Sequence, residues 1–466
     1  MRSTIWKAAP GLSAALIAIL SAASASPAER LANSIRFETV SSLDGTPEDA
    51  AAFDAHAEFL ERSYPNIHRV APPETVGGHS LMFRWPGKNP DAQPFALLGH
   101  LDVVPVEPGT EDEWTHPAYE GVVANGAVWG RGALDCKGPV IASLEAVERL
   151  IAEGFQPEND VYLLFGHDEE VGGATGAKAM ADLLAERGVR LAFTLDEGSG
   201  VVDRIIRGAR TPIALISTAE KGSVNLRITA RADGGHSSTP GPETAVTRLA
   251  RAVLAVKENP HPLEIDDNVR AFLKGLAPAM PQPQRFALQN LWLTGGFVKG
   301  TLAESPVTAA ALRTTTAPTI IRGGVKSNVL PQTAEAIINY RIHPRDSVES
   351  VRARAERLID DPNVTVEIIG GREPSPASSA ESEGYRAIAE TTLEVFGDFP
   401  VAPTLTLQGT DSKHYGDVAD NRYRFTPFIY RPIDLSKIHG TDEAVSIENL
   451  NRAVDWYALF LKKAAG

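Results

Sequence analysis

The sequence has a single cysteine, Cys136, so an internal disulfide is excluded and a hydrophobic core must stabilise the fold. No apolar run is long enough to span a membrane, because the N-terminal run APGLSAALIAIL is short and no stop-transfer segment follows it. Basic residues are outnumbered, and the formal net charge is −14. This balance argues against nucleic-acid or anionic-membrane partners, since both select basic surfaces.

The first residues have the pattern of a secretory signal peptide. Arg2 and Lys7 precede the short apolar run, and Ala23-Ser24-Ala25 offers a small-residue cleavage site. We expect a signal peptide over residues 1–25, cleavage after Ala25, and an exported protein that is periplasmic or secreted, with no membrane span once the signal is removed.

The sequence pattern predicts two domains, one inserted into the other. From Phe95, strand and helix patterns alternate, which predicts an α/β catalytic domain with a mostly parallel mixed sheet flanked by helices. After Glu220 the order becomes strand-helix-strand-strand-helix-strand, which predicts a ferredoxin-like α+β lid. We expect catalytic segments at 26–217 and 372–466 and a lid at 218–371. A proline-rich insertion over about 260–320 carries the run FALQNLWLTGGF, whose apolar residues we expect to pack onto the lid; the alternative is a pocket for a fatty-acyl chain.

Acidic residues and histidines collect at the predicted strand ends of the first domain. Each has a simpler interpretation on its own, because a carboxylate at a strand end is usually a helix cap or a turn former. Several strand ends nevertheless meet at one sheet edge, where ligands of α/β proteins bind. The residues at strand ends are His100, Asp102, Glu169, Glu170 and Asp196; Asp135 lies in the glycine-rich loop, and His439 lies far along the chain in the segment expected to return to this domain.

The adjacent pair Glu169-Glu170 indicates metal-assisted hydrolysis. Neighbouring side chains on extended chain diverge, so one glutamate can bind a metal while the other faces substrate. Imidazole and carboxylate donors without thiolate fit zinc or another first-row divalent ion, and two ions could share a bridging carboxylate. The glutamate that binds no metal could then take a proton from water and pass it to a leaving amine.

Several motifs resemble those of the di-zinc aminoacylase and glutamate-carboxypeptidase family of metallopeptidases. They are GHLDVVP, WGRGALDCKG, GHDEEVGG, LDEG, GGHSSTP, SNVLP and IHG. Further stretches, including RTTTAPTIIRGGVKSNVLPQ and GTDSKHYG, resemble the branch of vacuolar Gly-Xaa carboxypeptidase and secreted N-fatty-acyl-amino-acid synthase/hydrolase. The resemblance runs from about Phe95 to the C-terminus.

The resemblance implies a role for each of these residues. Two zinc ions would be held, one by His100 and Asp196 and the other by Glu170 and His439, with Asp135 as the bridge. Glu169 matches the general base, and Asp102 the carboxylate that orients His100. A cis peptide bond is implied at Asp135-Cys136. Cys136 departs from the family pattern, and we interpret it as a small buried packing residue.

The lid contributes further residues by the same resemblance. His236 matches a histidine that stabilises the tetrahedral oxyanion, often across a dimer interface, which implies a homodimer through the lid. Asn328 and Arg341 match residues that hold polar groups of the substrate, and Arg372 competes with Arg341 for a substrate carboxylate, which a guanidinium can bind with two parallel hydrogen bonds. The simpler alternative for these three residues is a structural role.

These expectations describe a metal-dependent amidohydrolase acting on N-acyl-amino acids or on small dipeptides with a free carboxylate, as a Gly-Xaa carboxypeptidase or dipeptidase does. The non-enzymatic alternative is an exported protein that binds a metal or an amino acid; such a protein needs the five ligands but has no use for Glu169. A serine hydrolase is disfavoured because no G-x-S-x-G motif is present. Cys136 adjoins the predicted metal bridge, which disfavours a cysteine nucleophile.

Overall fold

A computed structural model describes residues 25–42 and 47–466. The predicted signal peptide therefore lies, apart from Ala25, outside the described residues. In the part of the chain that the structure describes, no helix is both long enough and apolar enough to cross a membrane.

The described residues form strands that alternate with helices along most of the chain. The strands are β1 (Glu74–Val76), β2 (Ser80–Trp85), β3 (Phe95–His100), β4 (Val122–Ala124), β5 (Ala127–Trp129), β6 (Val161–Gly166), β7 (Leu191–Asp196), β8 (Val201–Val202), β9 (Ile213–Glu220), β10 (Gly222–Arg231), β11 (Gly235–His236), β12 (Thr315–Gly323), β13 (Val329–Leu330), β14 (Thr333–Ile342), β15 (Val364–Arg372), β16 (Val401–Thr406), β17 (Ala419–Arg424), β18 (Ile429–Tyr430) and β19 (Ala444–Ser446). The α-helices are α1 (Pro27–Ile35), α2 (Ala50–Ser63), α3 (Pro65–Val70), α4 (Lys137–Ala152), α5 (Ala177–Glu186), α6 (Ala245–Glu258), α7 (Asp267–Leu276), α8 (Gln284–Gln289), α9 (Leu291–Ala303), α10 (Pro306–Ala311), α11 (Val348–Ile359), α12 (Glu383–Phe396), α13 (Pro432–Leu435) and α14 (Ile447–Ala464).

The catalytic domain is built on a ten-stranded mixed sheet. Its order is β1-β2-β6-β3-β7-β17-β9-β8-β18, with β16 paired to β9. At its centre β6, β3, β7 and β17 run parallel. Strands β3 and β6 are buried at every residue, as parallel strands covered by helices on both faces should be. The carboxyl ends of these strands therefore lie side by side at one edge of the core.

The lid is the predicted ferredoxin-like sandwich. Its four antiparallel strands have the order β12-β14-β10-β15, and α6 and α11 pack on them. Buried and half-buried residues alternate along β10, as expected for a sheet with one face on a core. The chain passes from the catalytic sheet to the lid sheet between Glu220, the last residue of β9, and Gly222, the first of β10.

The insertion is helical, and it packs on a different surface from the one expected. Helices α7 to α10 occupy the proline-rich stretch, and α7 begins where Asp266 accepts a hydrogen bond from the backbone of Val269. Buried insertion residues such as Leu273 share a core with Val202 and Ile213 of the catalytic sheet. The expectation that the insertion packs onto the lid was therefore wrong, because apolar residues favour burial without specifying the surface that buries them.

One helix of the insertion is only half covered. Leu291 and Val298 of α9 are buried, whereas Trp292 and Phe297 are 83% and 75% exposed.

Candidate active site

Three neighbouring parallel strands end at the site. Strand β3 ends at His100, β7 ends at Asp196, and β6 ends just before a short 3-10 helix over Glu169–Val171. Because β3 lies between β6 and β7, the side chains that follow these strands are brought together at one sheet edge.

The first group of donors surrounds the imidazole of His100. Its Nε2 lies 2.9 Å from Oδ1 of Asp135 and 3.2 Å from Oε1 of Glu197. His100 is 1% exposed. We call His100, Asp135 and Glu197 the first half-site.

The second group surrounds the imidazole of His439. Its Nε2 lies 3.1 Å from Oδ2 of Asp135 and 3.2 Å from Oε2 of Glu170. The two carboxylate oxygens of Asp135 therefore face different histidines, Oδ1 facing His100 and Oδ2 facing His439. We call Asp135, Glu170 and His439 the second half-site. The long return of the chain that brings His439 here was predicted from the sequence.

The ionisation of the half-sites reflects clustered charge, which is buried around His100, whereas the side chain of His439 is 52% exposed. Hydrogen bonds to Asp135 and Glu170 raise the pKa of His439 to about 10. Burial, reinforced by the charge of Asp135, raises the pKa of Glu197 to about 8. Although burial opposes it, the charge of Glu197 and neighbouring acidic groups raise the pKa of His100 well above its usual range. Bound protons thus offset the negative charge of the clustered carboxylates, and a bound divalent cation could offset the same charge.

Asp196 does not face either histidine, although the sequence predicted it as a ligand. Its Oδ2 accepts a hydrogen bond from the backbone N–H of Ser412 at 2.7 Å, and its Oδ1 accepts one from that of Glu197 at 2.9 Å. The carboxylate beside His100 is that of Glu197, one residue further along LDEG. Both residues are acidic and both flank the strand end, so the alternation of the strand could not decide between them.

Asp102 connects His100 to both glutamates. Its Oδ1 lies 3.3 Å from Nδ1 of His100 and accepts the backbone N–H of Glu169 at 3.2 Å, and its Oδ2 accepts that of Glu170 at 3.1 Å. Asp102 is fully buried. The predicted contact with the second ring nitrogen of His100 is therefore present, and the same carboxylate also fixes the start of the 3-10 helix.

Glu169 lies beside the half-sites without facing either histidine ring. Its Oε1 is 3.8 Å from Nζ of Lys413, and both side chains are nearly buried. Burial, and next the negative charge of Asp411, raise the pKa of Glu169 well above its usual range. Lys413 and Asp411 were not singled out from the sequence; their segment, GTDSKHYG, was noted only for its resemblance.

The peptide bond between Asp135 and Cys136 is cis, as expected. Cys136 is fully buried in the main core, and burial raises the pKa of its thiol well above the usual range. Its Sγ lies within 4.8 Å of a nitrogen of His100 and an oxygen of Glu197. A side chain added at Gly99 would meet Val140 and this sulfur, which fits a packing role.

The lid residues lie apart from the half-sites. His236 is exposed, its Nδ1 lies 2.7 Å from Oγ of Ser238, and its strand pairs with Val329 next to Asn328. Among the described residues, no hydrogen bond or ion pair joins His236, Asn328 or Arg341 to the half-sites.

Arg341 and Arg372 share one row of the lid sheet. Both pair with Ser223 of β10, from opposite sides, so their side chains start from the same face. Arg372 donates to the carbonyl oxygen of Lys221 at 3.0 Å, and its Nη1 lies 3.6 Å from Oε2 of Glu220. Arg341 is exposed.

The donor set fits divalent cations. Imidazole nitrogens and carboxylate oxygens converge from four separate segments around Asp135, and they belong to the ligand types of zinc. In addition, Oε1 of Glu170 is buried and has no hydrogen-bond partner among the described residues. Burying a carboxylate oxygen without a hydrogen-bond donor destabilises a fold, so such an oxygen suits a metal ligand.

Comparisons with known proteins identify the family of this chain. The sequence profile of peptidase family M20/M25/M40 matches residues 96–463. A probable carboxypeptidase S-like 2 from Dictyostelium discoideum is 36% identical over 440 residues, covering 93% of this chain and 84% of that protein. An N-fatty-acyl-amino acid synthase/hydrolase PM20D1 from Xenopus tropicalis is 35% identical over 440 residues, covering 94% and 85%.

Among solved structures, an M20 family metallo-carboxypeptidase from Sulfolobus solfataricus superposes with a TM-score of 0.65 at 18% identity, covering 94% of this chain and 99% of that one. The chain belongs to peptidase family M20/M25/M40, and it is a metallo-hydrolase acting on amide bonds. The family and branch resemblance of the motifs is confirmed, and an enzyme is favoured over the binding protein.

Proposed function

We propose that the protein is a zinc-dependent hydrolase of N-acyl-amino acids, with small dipeptides carrying a free carboxylate as the alternative substrates. The observation that carries the proposal is the convergence of two half-sites on Asp135 with the carboxylate of Glu169 beside them. The names of the relatives support the substrate class, since they describe a carboxypeptidase and an N-fatty-acyl-amino acid synthase/hydrolase.

The proposed ligands are His100 and Glu197 for one ion and Glu170 and His439 for the other, with Asp135 shared. Glu197 replaces Asp196 in this proposal because Oε1 of Glu197 lies 3.2 Å from Nε2 of His100. Bound divalent ions would supply Lewis-acid chemistry, polarising the scissile carbonyl and lowering the pKa of water.

Glu169 is proposed as the general base and then the general acid. It takes a proton from the attacking water as the new C–O bond forms, and it delivers that proton to the amine nitrogen as the C–N bond breaks. Its raised pKa suits a group that must hold the proton between the two steps. Asp102 supports this role by accepting the backbone N–H of Glu169.

The lid is proposed to bind the polar groups of the substrate. Arg341 and Arg372 are candidates for its carboxylate, and their common row on the lid sheet allows both to face one anion. Asn328 is a candidate for other polar groups, and His236 for the developing oxyanion. We further propose a homodimer through the lid, and export after removal of residues 1–25.

The test is a turnover screen of the zinc-loaded mature chain. N-acyl-amino acids of increasing acyl length are compared with dipeptides, and each substrate is paired with its C-terminal amide. We expect amide cleavage with a marked preference for the free carboxylate. The Arg341→Met and Arg372→Met variants show which arginine binds the substrate carboxylate. Loss of that contact should raise KM for the free acids and leave KM for the C-terminal amides, which are already poor substrates, unchanged. Absence of cleavage across both substrate classes would contradict the proposal.

A further inference from the structure

Glu443 lies in the segment that follows His439, and its side chain is fully buried. The carboxylate does not face either half-site histidine. It accepts hydrogen bonds from the loop before α4, namely from Arg131 Nη1 (2.8 Å), Gly132 N (3.1 Å), Leu134 N (2.7 Å) and Asp135 N (3.1 Å). One buried carboxylate therefore organises the backbone that carries the shared ligand Asp135.

Arg131 joins this carboxylate to the segment of His439. The guanidinium of Arg131 is 5.2 Å above the ring of Trp114 and is nearly buried. While Nη1 donates to Glu443, Nη2 donates to the backbone oxygen of His439 at 3.4 Å. The Arg131–Glu443 pair thus holds both segments whose side chains meet across the second half-site.

The loop held by Glu443 has little conformational restraint of its own. Gly130 and Gly132 both have positive φ values, 145° and 89°, which other residues rarely adopt. The backbone N–H of Gly130 donates to the backbone oxygen of Glu443 at 2.9 Å, so the two segments are also joined through the main chain. A loop rich in glycine needs external contacts to hold a ligand in one place, and Glu443 supplies several of them.

We propose that Arg131 and Glu443 are positioning residues that set the metal affinity of the second half-site by fixing Asp135 and His439 relative to each other. The inference rests on the proposed function, since it presupposes that these two side chains bind a metal. Groups that orient metal ligands without touching the metal typically change its affinity 10–100-fold when removed. Glu443 contacts the backbone of the proposed ligand Asp135 and, through Arg131, the backbone of the proposed ligand His439.

A second buried ion pair provides a matched control. Arg30 and Glu145 lie 2.7 Å apart with side chains only 10% and 9% exposed, and Tyr64 also donates to Glu145. The pair joins α1 to α4 in the same domain through hydrogen bonds from Nη1 of Arg30 to both carboxylate oxygens of Glu145. Neutralising Glu145 removes the negative charge that faces the buried Arg30, just as neutralising Glu443 removes the one that faces Arg131. The Glu145 variant therefore reports the general effect of breaking a buried ion pair.

The experiment compares Glu443→Gln, Arg131→Lys and Glu145→Gln in the full mature chain. Zinc affinity is measured by competition with a chromophoric chelator, the visible spectrum is recorded after Co²⁺ loading, and thermal unfolding is followed in the metal-free state. We expect Glu443→Gln to weaken zinc binding by about 10–100-fold, with the larger loss for the ion of the second half-site, and to change the Co²⁺ spectrum. Arg131→Lys, which keeps the charge but loses the forked contact, should cause a smaller loss for the same ion.

Glu145→Gln should lower the unfolding temperature but leave both zinc affinities and the Co²⁺ spectrum as in the wild type. Wild-type affinity in Glu443→Gln, or an equal loss in Glu145→Gln, overturns the positioning role while the proposed function stands. If Glu443→Gln does not fold, wild-type affinity in Arg131→Lys overturns it instead. If the wild-type chain binds no zinc, the proposed function and this inference fail together.

Discussion

The buried carboxylate of Asp102 accepts the backbone N–H of Glu169 at 3.2 Å. Since Asp102 also lies against Nδ1 of His100, one side chain relates the proposed general base to the first half-site. Both contacts depend on β3 and β6 running parallel and ending at the same sheet edge. The geometry at the proposed centre is therefore a direct result of the strand order.

Replacing Glu169 should separate chemistry from metal binding. We expect Glu169→Gln to lower kcat for amide cleavage by about 10²–10⁴-fold, because the amide cannot take a proton from water. Zinc content should stay at the wild-type level, since the proposed ligands are untouched. Steady-state kinetics together with metal analysis of the same preparation checks this.

A control for Glu169→Gln is Glu74→Gln, which changes an exposed glutamate of β1 that is paired with Arg187 and separated from β3 by the strands β2 and β6. This variant should keep wild-type kcat. If Glu169→Gln also kept wild-type turnover, the general-base assignment would be wrong.

The adjacent residues Asp196 and Glu197 should behave differently when neutralised. Glu197→Gln neutralises a carboxylate whose Oε1 lies 3.2 Å from Nε2 of His100, so zinc affinity should fall for one ion. Asp196→Asn weakens the contact with Ser412 and should mainly lower thermal stability. Chelator competition and thermal unfolding on both variants distinguish these effects, and a larger affinity loss in Asp196→Asn would restore Asp196 as the ligand.

Zinc affinity should rise with pH between 6 and 8. The pKa of Glu197 is raised to about 8 by burial, and that of His439 to about 10 by its hydrogen bonds to Asp135 and Glu170, so both groups carry protons that the metal must displace. Each proton displaced makes the apparent affinity increase about tenfold per pH unit while the pH is below the pKa. Competition titrations at several pH values measure the slope, which should be smaller in Glu197→Gln. An affinity independent of pH would contradict these ionisation states.

His236 tests the contribution of the lid. If it donates to the oxyanion, His236→Ala should lower kcat by about 10²–10³-fold with a smaller effect on KM. Ser238→Ala, which removes only the hydroxyl beside Nδ1, serves as the control. Unchanged kcat in His236→Ala would return the histidine to a purely structural role, and a stable, active monomer in sedimentation would remove a histidine shared across a dimer.

Much of the site could be predicted because its residues follow apolar strands. His100 ends the buried strand β3, the Glu169-Glu170 pair follows the buried strand β6 after two residues, and parallel strands bring such positions together. Beyond the last residue of β7, however, the alternation ends, and nothing in LDEG says which acid turns toward His100. The position of Lys413 could not be foreseen either, since its segment is held by the contact between Asp196 and the backbone of Ser412.

In the lid, too, the local sequence pattern predicted the secondary structure but not the tertiary packing of the insertion. The order of strands and helices was sufficient for the ferredoxin-like sheet, because that topology follows from sequential elements. The insertion was more difficult. Leu273 and Leu276 lie on the buried side of an ordinary amphipathic helix, and such a helix can pack against any apolar surface within reach. Only the structure identified the catalytic sheet as that surface.

The most direct test of the account is the zinc content of the mature chain, measured together with its amide turnover. We predict two zinc ions per chain, loss of turnover on dialysis against a chelator, and recovery as zinc is returned. His439→Ala should hold one ion fewer. A chain that cleaves amides at the full rate after all metal has been removed would contradict the account.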